Sequence, residues 1–114
     1  MLTMIALVAL SIGPADVPVR VRTQTGVWTP PAAWLNETMR RESSGNRWAV
    51  GDAGASRGPY QIQRKPWIAF GGKQLWEKWA HDPAESRRVA SRILAACKRH
   101  VERHGRKVNF ESVR

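Results

Sequence analysis

Cysteine is almost absent from this chain of 114 residues, in which Cys97 is the only one. No intramolecular disulfide can form even in an oxidising compartment, so the fold must be stabilised by packing. Cys97 shares a helical stripe with Val89, Ile93 and Val101, and we therefore expect a small buried side chain there rather than a nucleophile. No set of Cys and His residues has metal-ligand spacing, so the sequence predicts no metal site and no cofactor. The three histidines are expected on polar surfaces: His81, His100 and His104.

The sequence also has no apolar run long enough to cross a bilayer. An uncharged apolar stretch from Met1 to Ile12, followed by small residues as far as Ala15, is too short. This pattern is typical of a secretory signal with a small-residue cleavage site, but the usual positive charges before the apolar stretch are missing. A buried N-terminal strand or helix is the alternative. We expect residues 1–15 to be a signal peptide of a secreted or periplasmic protein, and residues 16–28 to be a linker or surface segment.

Acidic residues are scarce: nine Asp and Glu stand against nineteen Lys and Arg, which gives a formal net charge of +10. So basic a protein should bind polyanions, and the candidates are nucleic acid, anionic membrane surfaces and bacterial cell-wall polymers. Nucleic-acid binding would be favoured by aromatic residues interleaved with Arg or by a known reader motif, and the sequence has neither. We expect no specific nucleic-acid partner, but charge alone does not decide among the three classes.

The chain length suits one compact domain with a single core, to which six Trp contribute much apolar surface. The most regular pattern predicts a long helix from Pro83 to a stop at Gly105, with Asp82 as its cap and Glu85 completing a capping box. Two shorter helical stretches precede it and are expected to act as supporting walls, the first of them stopping at Gly71. The second is expected to bury three side chains: Leu75, Trp76 and Trp79.

An earlier helix is predicted from a cap at Thr29 to about Arg41. Its apolar stripe, which continues to Glu42, consists of four residues: Trp34, Leu35, Thr38 and Met39. A place on this stripe implies desolvation, and a helix C-terminus disfavours a further negative charge, so both effects would keep the Glu42 carboxyl protonated. The alternative is a Glu42 side chain that extends into solvent beside Arg40 and Arg41.

A glycine-rich stretch follows, with short β-like pieces at residues 47–50 and 59–62 that predict a small irregular hairpin. Asp52 lies between Gly51 and Gly54, where glycines and hydroxyl groups would leave its carboxylate hydrated and ionised. Two carboxyl groups in opposite protonation states are what glycosidic hydrolysis requires. Asp is also an ordinary turn residue, so the residues alone leave a purely structural role for Asp52 open.

The segment "ESSGNRWAVGDAGASRGPYQIQ" resembles the lysozyme-like superfamily, which includes the lytic transglycosylases with their Glu-Ser, Gly-Ala-x-x-Gly and Gln-Ile pieces. It is more similar still to the invertebrate-type lysozyme, or destabilase, family. The matching pieces are Glu42-Ser43, Asp52-Ala53-Gly54, Gly58-Pro59-Tyr60-Gln61-Ile62 and Pro66-Trp67-Ile68. The resemblance covers about Arg40 to Arg114 and is specific as a compound motif.

This resemblance implies a mainly α, lysozyme-like α+β domain over residues 29–114, with a short β-hairpin beside an active-site cleft. It implies Glu42 as proton donor and Asp52 as second carboxylate of a muramidase, which hydrolyses peptidoglycan between N-acetylmuramic acid and N-acetylglucosamine. Four residues would line the sugar groove: Ser43, Ser56, Tyr60 and Gln61. The expected partners are glycan strands and anionic cell-wall polymers, and we expect a monomer without metal.

The chain also departs from the family's pattern. Those lysozymes are rich in disulfides, Arg57 stands where the family has a Cys before Gly58, and the spacing from Glu42 to Asp52 is slightly shorter. The end, "VNFESVR", is similar to a stretch that continues into a His-Asn-Gly-Gly segment, so a chain short of a complete groove and a compact variant with a finished end are both open. Two other functions also stay open: a lytic transglycosylase that uses Glu42 alone, and a non-catalytic basic wall-binding module.

Overall fold

The computed structural model describes residues 28–105 and 109–113, so the predicted signal peptide and nearly all of the predicted linker lie outside it. Its elements in chain order are α1 (Ala32–Ser43), β1 (Val50–Gly51), a 3-10 turn (Asp52–Gly54), β2 (Ser56–Arg57), β3 (Ile62–Gln63), α2 (Arg64–Ala69), α3 (Trp76–Trp79), α4 (Pro83–Arg103) and α5 (Phe110–Val113). The protein is a small, mainly helical α+β domain, as the sequence predicts.

Helix α4 is the centre of the core and closely follows its sequence pattern. The Asp82 side chain accepts a hydrogen bond from the backbone N–H of Glu85 at 2.8 Å, and Pro83 occupies the first turn. The helix ends just before Gly105, whose φ of +70° is the left-handed conformation that glycine adopts without strain. The apolar stripe is buried: Val89, Ala90, Ile93, Leu94, Cys97 and Val101. Burial raises the pKa of the Cys97 thiol to about 12, so this cysteine is an inert packing residue, as expected.

Side chains from the earlier elements pack on this stripe and complete one core. They are Leu35, Tyr60, Ile62, Trp67 and Phe70. Two of the tryptophans have their indole N–H groups hydrogen-bonded. Trp67 donates to the carbonyl of Lys73 at 2.8 Å, and Trp76 donates to the carbonyl of Ile62 at 2.9 Å. Near the chain end, Phe110 of α5 lies 5.7 Å from the Trp34 ring, which attaches this helix to α1.

Two predicted helix starts need correction. Pro31, not Thr29, occupies the cap position of α1 and makes no side-chain cap bond, so the helix begins without the predicted capping side chain. In α4 the second half of the capping box is missing. The backbone N–H of Asp82 donates to the carbonyl of Trp79 at 3.0 Å, while the Glu85 carboxylate accepts from the backbone N–H of Lys73 at 3.0 Å. Glu85 therefore binds the preceding loop instead of its own helix cap.

The predicted hairpin is an antiparallel sheet of three strands in the order β1-β2-β3. Val50 pairs with Arg57 and Arg57 pairs with Ile62, so β2 is a central strand that lies between the two predicted pieces. The sequence does not predict this strand, because two residues carry no alternation pattern.

The burial of two side chains differs from the prediction: Leu75 was expected to be buried and His81 to be exposed. Leu75 is 66% exposed and has a φ of +69°, because it turns the chain into α3 instead of packing inward. His81 is only 7% exposed, and its Nδ1 lies 2.8 Å from the carbonyl oxygen of Arg47. Within the described ranges, no helix is both long and apolar enough to cross a membrane.

Candidate active site

Glu42 lies in the last turn of α1 and is half-buried. The helix is fixed on the core by Leu35, and the Thr38 hydroxyl donates to the carbonyl of Trp34 at 2.8 Å. Of the two arginines in the last turn, Arg41 donates to Glu37 at 2.8 Å and Arg40 also binds that carboxylate. The pKa of Glu37 is lowered to about 2, mainly by the hydrogen bond from Arg40 and next by the hydrogen bond from Arg41.

Ser43 fastens the end of α1 to the sheet region. Its hydroxyl donates to the carbonyl of Pro59 at 2.7 Å, in the turn between β2 and β3. Ser44 then stops the helix with a φ of +54°, and its backbone N–H donates to the carbonyl of Arg40 at 2.9 Å. The last turn of α1, with Glu42 in it, is thereby attached to the segment that leads into Tyr60.

Asp52 begins the 3-10 turn between β1 and β2. Its Oδ2 accepts a hydrogen bond of 2.6 Å from the hydroxyl of Ser56, which is fully buried. A hydrogen bond to a carboxylate favours its charged form, so this contact supports the ionised state that the sequence predicts for Asp52.

Gln61 and Tyr60 connect this turn to the core. The Gln61 side chain donates to the carbonyls of Ala49 at 3.0 Å and Gly58 at 2.9 Å. The Tyr60 ring is 1% exposed, and its hydroxyl accepts a hydrogen bond of 3.0 Å from Arg87. Burial raises the pKa of Tyr60, although the nearby Arg87 opposes that shift.

The predicted groove residues therefore differ in accessibility. Ser56, Tyr60 and Gln61 are all at least 95% buried, and each has a polar group bonded within the protein. They support the backbone of the site and do not face a surface groove in this structure, because the short turns around β2 direct them inward. Ser43 is half-buried and, with Glu42 and Asp52, lies nearer the surface.

Backbone strain is concentrated in the same region. In the described part of the chain, positive φ angles occur at five non-glycine residues: Ser44, Asp52, Ala53, Gln61 and Leu75. Four of these five lie between residues 44 and 61. Such conformations cost about 1–3 kcal/mol each and persist only where the surroundings hold them, which is typical of functional sites. The unusual backbone thus coincides with the segment that the motif singles out.

A separate pocket of about 220 Å³ lies between the loop after α1 and the junction of α3 with α4. Its lining residues are Arg47, Trp48, Glu77, Lys78, Trp79, His81 and Asp82. The sequence does not predict this pocket, because residues 47–50 suggest a strand, whereas only Val50 belongs to β1. The one signal available in the sequence was an indole, Trp48, in a glycine-rich and polar stretch.

No family model, curated protein or solved structure matches the chain. Among residues 28–105 and 109–113, no group of three or more His, Cys, Asp or Glu side chains is placed to hold a metal ion.

Proposed function

We propose that the protein is a muramidase, which hydrolyses the glycosidic bond between N-acetylmuramic acid and N-acetylglucosamine in peptidoglycan. The observation that carries this proposal is the hydrogen bond from Ser43 to the carbonyl of Pro59. It attaches the helix turn of Glu42 to the turn between β2 and β3, and β2 carries the serine that binds the Asp52 carboxylate. Hydrogen bonds thus join the segments that carry two carboxyl groups in different surroundings, which supports the proposal.

The two carboxyl groups would have different tasks. Glu42 is half-buried at a helix C-terminus, where the helix dipole disfavours an additional negative charge, and this supports a role as general acid toward the leaving oxygen. Asp52 accepts a hydrogen bond that favours its anion, and this supports stabilisation or capture of the positively charged sugar. Water then completes the hydrolysis.

The experiment is the substitution Glu42→Gln, which keeps the shape of the side chain and removes its transferable proton. Clearing of a cell-wall suspension, followed by turbidity, should fall by about two to four orders of magnitude, the contribution of general acid catalysis. Glu37→Gln is the matched control, because it makes the same chemical change on the same helix and should keep the clearing rate.

The result separates the open alternatives. Near-normal clearing by Glu42→Gln would contradict the site assignment. Wild-type protein that binds sacculi without clearing them would instead identify a basic wall-binding module on this scaffold. Clearing that depends on Glu42 and releases anhydro sugar termini would identify a lytic transglycosylase.

A further inference from the structure

The pocket beside the loop after α1 is distinct from the proposed active site. It contains none of the six residues that the sequence nominated, and two of its lining side chains are indoles, Trp48 and Trp79. We propose that this pocket binds one neutral pyranose ring of a glycan chain, stacked against Trp48. The assignment of that ring to an N-acetylhexosamine of the peptidoglycan strand rests on the proposed function, whereas the choice of a neutral sugar rests on the pocket itself.

Trp48 is exposed yet held in place. It is 66% exposed, but its ring stacks on His81 with centroids 5.5 Å apart, and the Arg47 guanidinium lies 4.8 Å from its ring centroid. The backbone N–H of Trp48 also donates to the Asn46 side chain at 3.0 Å. A flat apolar surface that is fixed before binding loses little conformational entropy when a ligand covers it, which favours binding.

The floor of the pocket is fixed by the same contacts. His81 is buried, and its Nδ1 lies 2.8 Å from the Arg47 carbonyl oxygen, while Arg47 Nε donates to the carbonyl of His81 at 3.2 Å. These two hydrogen bonds join the loop that carries Trp48 to the junction of α3 and α4. The pocket is therefore built by tertiary contacts and is not a chance gap between loops.

The charges around the pocket select the chemical class of ligand. Arg47 and Lys78 contribute two positive charges, and Glu77 and Asp82 contribute two negative ones. The lining thus carries charges of both signs on a protein whose formal net charge is +10, and the Lys73 ammonium also lies 4.2 Å from the centroid of the Trp79 ring. A polyanion would meet two carboxylates there, whereas the hydroxyl groups of a neutral sugar both donate to carboxylates and accept from cationic groups.

The size of the pocket sets the length of the ligand inside it. A volume of about 220 Å³ is below the range of about 300–1,000 Å³ found for drug-sized ligands, so it accommodates one ring and not a longer oligomer. The rest of a glycan chain would continue along the surface. Trp48 belongs to the loop that joins Glu42 to β1, and the next residue, Ala49, accepts hydrogen bonds from Gly58 and Gln61. Pocket and sheet thus share one loop.

The test is a titration of the full chain with the N-acetylglucosamine trimer, followed by the indole N–H signals in a nitrogen-15 NMR spectrum. We run it on the wild type and on Glu42→Gln, which removes cleavage of the probe. The signals of Trp48 and Trp79 should shift, while that of Trp67, whose N–H is bonded inside the core, should not. Trp48→Ala should weaken binding at least tenfold. The matched control is Ile68→Ala, which removes a side chain that is 63% exposed on α2 and should leave binding unchanged.

Unshifted Trp48 and Trp79 signals would overturn the proposal. Full affinity of Trp48→Ala for the trimer, with a Trp67 signal that shows an intact fold, would also overturn it. A third contrary result would be that a sulfated polysaccharide shifts the indole signals and the neutral trimer does not. The titration measures binding without cleavage. If Glu42→Gln clears the wall normally, the titration still tests whether the pocket binds sugar. If the titration shows no binding at the pocket, the proposed muramidase activity is unaffected.

Discussion

At the scale of single residues, the turn around Asp52 combines strain with support. Asp52 and Ala53 have φ angles of +52° and +56°, and Ala53 has no polar side chain with which to stabilise this left-handed backbone. The turn is held by the Ser56 hydroxyl on the Asp52 carboxylate and by a 3.1 Å hydrogen bond from the N–H of Ala55 to the carbonyl of Asp52. This support fixes the direction of the carboxylate, as a charge-stabilising group requires.

The first prediction concerns that carboxylate. Asp52→Asn keeps the size of the side chain and an acceptor for Ser56, but a neutral amide cannot offset positive charge that develops on the sugar. Wall clearing should fall at least about tenfold, or about 1.4 kcal/mol of transition-state stabilisation. Mass spectrometry of the released muropeptides should show ordinary reducing sugars. Anhydro termini together with an unaffected rate would contradict hydrolysis and favour a transglycosylase in which Glu42 works alone.

At the scale of elements, the start of α4 holds the loop at residues 70–73 against the core. Glu85 accepts from the backbone N–H of Lys73 at 3.0 Å and from Arg88 at 2.8 Å, and Arg88 donates to the carbonyl of Gly71 at 2.7 Å. The hydrogen bond from Arg88, followed by that from Lys73, lowers the pKa of Glu85 against the opposing effect of burial. A buried carboxylate is thereby stabilised in its charged form.

This arrangement predicts how stability changes with pH. Because the pKa of Glu85 is lower in the folded than in the unfolded chain, its contribution is fully present above the unfolded value of about 4.3 and is lost as the pH falls through the lowered folded value. Glu85→Gln should destabilise the protein by about 1.5–3 kcal/mol at pH 7 and by less at pH 2–3. Urea unfolding at both pH values measures the difference, and Glu77→Gln on the exposed side of α3 is the control. If Glu85→Gln lost the same free energy of unfolding at both pH values, the result would contradict a charge-dependent role of Glu85.

A second prediction at this scale concerns the turn that precedes Tyr60. Gly58 has a φ of +84°, and a Cβ there would lie 1.7 Å from the carbonyl oxygen of Ala80. Gly58→Ala should therefore cost at least about 3 kcal/mol in the free energy of unfolding, from a backbone clash added to strain. Gly54→Ala has a comparable φ of +94° with no atom within 4 Å, so strain alone should cost about 1–2 kcal/mol. Equal losses of unfolding free energy in the two variants, measured by urea unfolding, would show that the packing of this turn against the α3–α4 junction contributes nothing to stability.

Long elements could be predicted from the sequence far better than short ones. The pattern around α4 contains its cap, its first-turn proline, six buried positions and its terminating glycine, so local and tertiary signals agree over many residues. Strand β2 has two residues and is defined only by its partners, and Leu75 is turned outward by a positive φ that nothing in its type predicts. His81 is buried because Arg47, far away in the chain, offers it a carbonyl. In the candidate site, the motif nominates a segment, but it does not reveal which side chains point inward.

At the scale of the whole molecule, two kinds of surface coexist. The formal net charge of +10 should attract the protein to polyanions over a distance, whereas the lining of the pocket at Trp48 carries charges of both signs. Contacts with anionic wall polymers should therefore depend strongly on salt, and contacts with a neutral sugar ring should not. Salt concentration is thus a means of separating attachment to the wall from recognition of the glycan.

The last prediction uses this difference. The Glu42→Gln variant, which should bind without lysing, is expected to adsorb to sacculi that carry teichoic acids at 0.1 M NaCl and to be largely released at 1 M, because the screening length falls from about 10 Å to about 3 Å. Sacculi stripped of teichoic acids are the control and should retain less protein at the low salt concentration. Binding of the N-acetylglucosamine trimer, measured on the same variant by NMR, should change less than twofold over that range. Adsorption that persists at 1 M NaCl would mean that shape and stacking, and not the net positive charge, hold the protein on the wall.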